Sequence, residues 1–321
     1  MLVNIPILSA LLALGAAAPS LAGPAPRCST NAECLKRGLP LRAPSKRAIY
    51  NTALRTRQAN YVPNTFAFTG AVNTFTAPSD GDYFFTVQAG SGGTSDAAEY
   101  TSYGGSAAQV NSTIFLTRNT VLNIVVGGQA GTAASSFGAG GGGGSFVYTT
   151  DDSLLIAAGG GGGAETAYPN PNNGRDANSD FSTDGTAGQT GIAGGTNGNG
   201  GSSNLAYAGG GGGAGFFSSG QANSAGSAGN GGSTKPSWAG GVATNGASSA
   251  GGFGGGGGGG GNGGGGGGGY SGGGGGGEFN NPGSGGGGSN YATPAGVDSV
   301  VSIGHTGNGV IIITQLNEAI P

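Results

Sequence analysis

The 321 residues include a single histidine, His305. It stands before Thr306-Gly307-Asn308, a turn sequence, and reads as a turn residue. With one His, zinc and Cys/His nucleophile sites lack ligands, and a Ser-His-Asp triad would have to use His305. No G-x-S-x-G elbow follows a strand convincingly. The many G-x-G-x-x-G matches sit in a glycine-saturated background with no strand–helix–strand context. Asp176, Asn178, Asp180 and Asp184 fall at positions 1, 3, 5 and 9 of a twelve-residue calcium loop. Phe181 stands where that loop needs Gly, and Ala187 where it needs a bidentate Glu. The stretch reads as a solvated Asp/Asn loop. No catalytic, cofactor-binding or metal-ligating residue is assigned, no cofactor is expected, and the chain reads as a non-enzyme.

Other residues point to processing and recognition. Residues 1–22 have an apolar core from about Ile5 to Ala18 and a small-x-small site at Ser20-Leu21-Ala22, the pattern of a secretory signal peptide. Residues 23–47 read as a pro-segment or disordered leader, and 48–63 as a linker. Lys46-Arg47 is a dibasic processing site in a Pro-rich stretch. Cys28 and Cys34, the only cysteines, could close a small disulfide in an oxidising compartment or be removed with the pro-segment. Asn111-Ser112-Thr113 is the one N-glycosylation acceptor; it falls on an expected strand, so occupancy needs a solvent-facing side. The expected localisation is extracellular, with the cell wall as one destination. Net charge is −3 and most basic residues precede position 58. No basic stripe with interleaved aromatics exists, which argues against nucleic-acid binding, and no segment of the mature chain is long enough to span a bilayer.

These residues must be positioned by strands. Alternating apolar and polar residues predict strands at Thr65–Thr69, Val72–Thr76, Tyr83–Ala89, Gln109–Thr117, Thr120–Val126, Phe146–Tyr148 and Leu154–Ile156. A closing pair follows at Ser299–Ile303 and Gly309–Thr314. No segment has a helical period with caps. The expected fold is all-β, a sandwich or jelly roll spanning 64–316. If the last two strands pair with the first seven, residues 159–296 become one glycine-rich insertion held at both ends.

The insertion centres on Gly251–Gly288, where glycine is broken by residues such as Phe253, Asn262, Tyr270 and Phe279. Such a run can be a flexible coil or, being free of side chains, a set of rods bonded to their neighbours. The run boundaries favour rods. Leu155–Ala158 leads into Gly159–Gly163 and Ala164. Leu205–Ala208 leads into Gly209–Gly213 and Ala214. A random linker has no reason to lock apolar residues to run ends. The exposed loops between rods supply the recognition candidates, Tyr168 to Asp184 and Thr234 to Trp238. Trp238, the only tryptophan, is either a contact residue or an anchor for its loop.

Phe66-Ala67-Phe68-Thr69-Gly70-Ala71-Val72-Asn73-Thr74-Phe75-Thr76-Ala77-Pro78 resembles the opening of the glycine-rich domain in the anaplastic lymphoma kinase and leukocyte tyrosine kinase receptor ectodomains. Gly141–Val147, Leu154–Ala164, Gly269–Gly272 and Gly285–Tyr291 keep the same order. The resemblance implies a jelly-roll-like sandwich carrying a bundle of left-handed polyglycine helices, in a region that contributes to ligand recognition in the receptors. The receptors' cysteines in this region, their transmembrane span and their kinase are absent here, so neither signalling nor the ligand-contacting residues carry over. The leader around Cys28 and Cys34-Leu35-Lys36-Arg37-Gly38-Leu39-Pro40 resembles those of secreted proteins from mushroom-forming fungi. Two functions are therefore expected: an adhesion or binding module for an extracellular protein or glycan, or a structural matrix or coat protein that self-associates.

Overall fold

The computed structural model describes residues 63–316, apart from 98, 135–136, 168–169, 204–207, 224–228, 244–246 and 278–280, together with Lys36. Lys46, Arg47, Cys28, Cys34 and Tyr168 lie outside the described residues.

Fifteen strands are present among the described residues: β1 (Asn64–Ala67), β2 (Asn73–Thr76), β3 (Gly81–Gln88), β4 (Ser95–Ala97), β5 (Tyr100–Ser102), β6 (Ala107–Leu116), β7 (Val121–Val125), β8 (Ala133–Ala134), β9 (Ser145–Thr149), β10 (Leu154–Ala158), β11 (Glu165–Ala167), β12 (Asn170–Asn172), β13 (Tyr291–Ala292), β14 (Val297–His305) and β15 (Val310–Leu316). The nine expected strands are all among them, and the fold is all-β. The six others, β4, β5, β8 and β11 to β13, have two or three residues each, too few to display a period.

The long strands form two antiparallel sheets, ordered β1-β15-β3-β6-β14 and β13-β10-β9-β7-β2. We call them the first and second sheet. The alternation of β3 buries Tyr83, Phe85 and Val87 on one face. They meet Val110 and Ile114 of β6, Ile311 and Ile313 of β15, and Leu122, Ile124, Val147 and Ile156 of the second sheet in one core. Burying each large side chain here contributes roughly 1.5–3 kcal/mol before entropy is set against it. The closing strands enter the first sheet itself: β15 lies between β1 and β3, and β14 borders β6.

The second sheet is covered on its other face too. In β9, Val147 points into the sandwich core while Phe146 and Tyr148 point away from it, into a second apolar cluster with Phe216 and Trp238 of the insertion. The layers are therefore first sheet, second sheet, glycine-rich insertion.

Within the insertion the backbone bonds to itself across rods. Gly160 and Gly163 donate to Gly268 and Gly265, while Gly161 and Gly162 between them donate to Gly90 and Arg175. Gly210 and Gly213 donate likewise to Gly276 and Gly273, with Gly258 and Gln221 taking the intervening amides. The bonds thus return to the same neighbouring segment every third residue. Glycine is required because there is no room for anything else. A Cβ on Gly161 would collide with the carbonyl oxygen of Gly105, and one on Gly267 with that of Gly160.

Candidate recognition surface

Phe146 stacks on Trp238 with ring centroids 4.3 Å apart and planes 25° from parallel. Phe216 lies against both Phe146 and Tyr148, at 6.0 and 5.6 Å. The indole Nε1–H donates to the Tyr148 hydroxyl at 3.4 Å, and the Trp238 side chain is fully buried. Lys235 caps the group. Its Nζ sits 4.1 Å from the centre of the Phe216 ring and 3.3 Å from a carboxylate oxygen of Asp152. Burial raises the Tyr148 phenol above its ordinary value, more than the indole hydrogen bond lowers it. The backbone closes over the tryptophan through Gly254 and Gly255, whose amides both donate to the Trp238 carbonyl and whose φ of 96° and 84° suits glycine. Of the two roles the sequence allowed Trp238, the structure assigns the anchor. It holds the 234–238 loop to the second sheet and is not a contact residue at the surface.

Beside this anchor the aromatic character continues outward. Phe217 is 60% exposed and packs edge-on to Phe216 at 5.3 Å and to Tyr270 at 6.4 Å. Tyr270 stacks on Tyr291, with centroids 4.9 Å apart and planes 27° from parallel. Both tyrosines are half-buried, and neither hydroxyl has a hydrogen-bond partner among the described residues. Burial, then the neighbouring Tyr291, raises the Tyr270 phenol, so the Tyr270 ring presents a neutral O–H group at ordinary pH. Gly198 lies beneath the file, where a Cβ would collide with the Phe217 ring.

The residues flanking the tyrosines bind the Asp/Asn loop. Asn290, immediately before Tyr291, donates from Nδ2 to the carbonyls of Asn178 and Asp180 at 2.6 and 2.9 Å. Ser271, immediately after Tyr270, donates to the Thr183 carbonyl at 2.5 Å and accepts from the Gly198 amide at 2.8 Å. The loop polar groups satisfy one another or the backbone. Asp176 accepts from the Ser106 amide, Asn178 from the Thr186 hydroxyl and Asp180 from the Ser182 amide. They form a wall tied to the rigid bundle. No group of three or more His, Cys, Asp or Glu able to hold a metal ion occurs among the described residues.

The other sequence-identified positions lie elsewhere. Asn111 is half-buried on β6, in the first sheet. His305 is the last residue of β14, with Nε2 2.9 Å from the Asn308 carbonyl. Sequence reasoning missed the Phe217–Tyr270–Tyr291 file. Its signal was present: Phe146, Phe216, Tyr270 and Tyr291 each follow closely on the end of a glycine run. Rods packed side by side bring such run-terminal residues together.

In comparisons with known proteins, no family model and no curated protein sequence matches the chain. No helix among the described residues is long and apolar enough to cross a membrane.

Proposed function

We propose that this protein is a secreted, non-enzymatic binding module that recognises an extracellular glycan through the Phe217–Tyr270–Tyr291 file. The observation that carries the reading is the file itself: three adjoining aromatic rings, partly open, on a backbone held by hydrogen bonds. Aromatic faces stack on the C–H faces of sugar rings, and the unpartnered tyrosine hydroxyls and the adjoining Asp/Asn wall offer partners for sugar hydroxyls. A rigid scaffold that orders such residues before contact reduces the entropy lost on binding. The resemblance to receptor glycine-rich domains, which contribute to ligand recognition, supports the same class of function.

The test is depletion of the purified protein from solution by insoluble polysaccharides, cellulose, chitin and β-1,3-glucan particles, across a concentration series. Saturable binding to one of them is expected. Phe217→Ala should weaken it about tenfold, near 1.4 kcal/mol, without altering the fold, because this ring is mostly exposed. Absence of saturable binding, with concentration-dependent assembly in sedimentation velocity, would favour the matrix or coat reading instead.

A further inference from the structure

The first sheet has an outer face that no other layer covers among the described residues. Its registers place Thr86 of β3, Asn111 of β6 and Val300 of β14 side by side in one row. The next row holds Phe84, Thr113 and Val297, and Phe115 stands beyond them on β6. Phe115, Val297 and Val300 are each 57–58% exposed. An uncovered sheet face carrying apolar side chains beside an edge strand is an association hazard, and proteins shield such faces.

Asn111 is placed to supply the shield. A ladder of amides fixes its orientation: Gln88 Nε2 donates to Gln109 Oε1 at 2.6 Å, and Gln109 Nε2 donates to Asn111 Oδ1 at 3.2 Å. The ladder uses the oxygen of Asn111 and leaves Nδ2 without a hydrogen-bond partner among the described residues. Nδ2 is the atom that an N-linked sugar occupies. Thr113, two residues on along the same face, completes the acceptor.

We propose that Asn111 carries an N-linked glycan whose first sugars lie over the outer face of the first sheet. The inference rests on passage through the secretory route and is independent of the recognition surface, which belongs to the opposite layer. A transferase outside this chain supplies the oligosaccharide from a polyprenyl diphosphate. The bond from sugar C1 to the diphosphate oxygen breaks, C1 bonds to Asn111 Nδ2, Nδ2 gives up one proton, and the polyprenyl diphosphate leaves. Transfer precedes folding, so the burial of Thr113 in the finished sheet does not oppose it. Once attached, the apolar faces of the sugars cover Val300 and its neighbours.

The full chain is produced in a eukaryotic host, recovered through a C-terminal tag from medium and cells together, and weighed before and after treatment with a glycan-releasing amidase. The expected result is loss of one glycan mass with conversion of Asn111 to Asp in the peptide map. Thr113→Val, nearly isosteric and well suited to a strand, should abolish the modification, and Thr113→Ser should keep it. An unmodified Asn111 peptide from the wild-type chain overturns the proposal. The covering role has its own readout. Thr113→Val should bind an apolar fluorescent dye several-fold more than the glycosylated wild type, and equal binding overturns that part.

Discussion

Glu165 on β11 is almost fully buried, and the one hydrogen bond to its carboxylate among the described residues is a long one, 3.4 Å from Asn172 Nδ2. Asn172 is itself shared, donating also to the Pro282 carbonyl and accepting from Gln189 Nε2. Burial pushes the Glu165 carboxyl up to about 7, and the Asn172 bond offsets only part of this. The folded pKa is raised above the unfolded one, so the folded state holds the proton more tightly. Its stability contribution is fully present below pH ~4.5 and is lost as pH rises through ~7. The whole change is at most about 3 kcal/mol. The urea midpoint of the wild type should therefore fall between pH 4.5 and 7.5. Glu165→Gln, which keeps the shape and cannot ionise, should remove that part of the slope. An unchanged slope in the variant would place the pH dependence elsewhere.

The glycine rods are held by contacts that a single methyl group can break. At Gly161 a Cβ would meet the Gly105 carbonyl, which is backbone and cannot swing aside. Gly161→Ala should cost about 1–3 kcal/mol or more from overpacking alone. Gly191 is the useful comparison, because it has open space around its Cβ position and a φ of 86°. Gly191→Ala meets only backbone strain, roughly 1–2 kcal/mol. Thermal melting of the two variants separates crowding from conformation, with the larger drop expected at Gly161. A smaller drop there would mean that neighbouring rods can move apart. At the same scale, Ser145, Ser249 and Ser271 work as pins. Each hydroxyl accepts from one amide and donates to one carbonyl, joining segments far apart in sequence.

Across the whole molecule, the chain closes on itself. Strand β15 pairs with β3 over its whole length and with β1 from Val310 to Ile313, so both ends of the insertion are anchored in the sandwich. Amides of Gly264 to Gly268 each donate to a carbonyl on another segment. Hydrogen exchange at these glycines should be slow, and protected to a degree near that of β3 and β6. Rapid exchange there, with a protected sandwich, would show that the rods open independently of the sheets. The Trp238 anchor adds to this closure, because it fixes part of the insertion to the outer face of the second sheet.

Much of this was legible in the residues. Strands of four or more residues announce themselves by alternation, since one face must be apolar and the other is not, as in Phe66 to Thr76 and Tyr83 to Gln88. The all-β class, the strand placement on both sides of the insertion and the punctuation of the glycine runs follow from that. Trp238 was ambiguous because its surroundings, Phe146, Tyr148 and Phe216, come from positions distant in sequence. The Phe217–Tyr270–Tyr291 file was hidden for the same reason, and so were the short strands, which have too few residues to show a period. The deepest limit lies in the glycines. A side chain carries information about its surroundings through size and polarity, and a glycine carries none. Which rod lies beside which is written in backbone hydrogen bonds, identical in kind at every position, and becomes definite only when the sheets at both ends hold the rods in register.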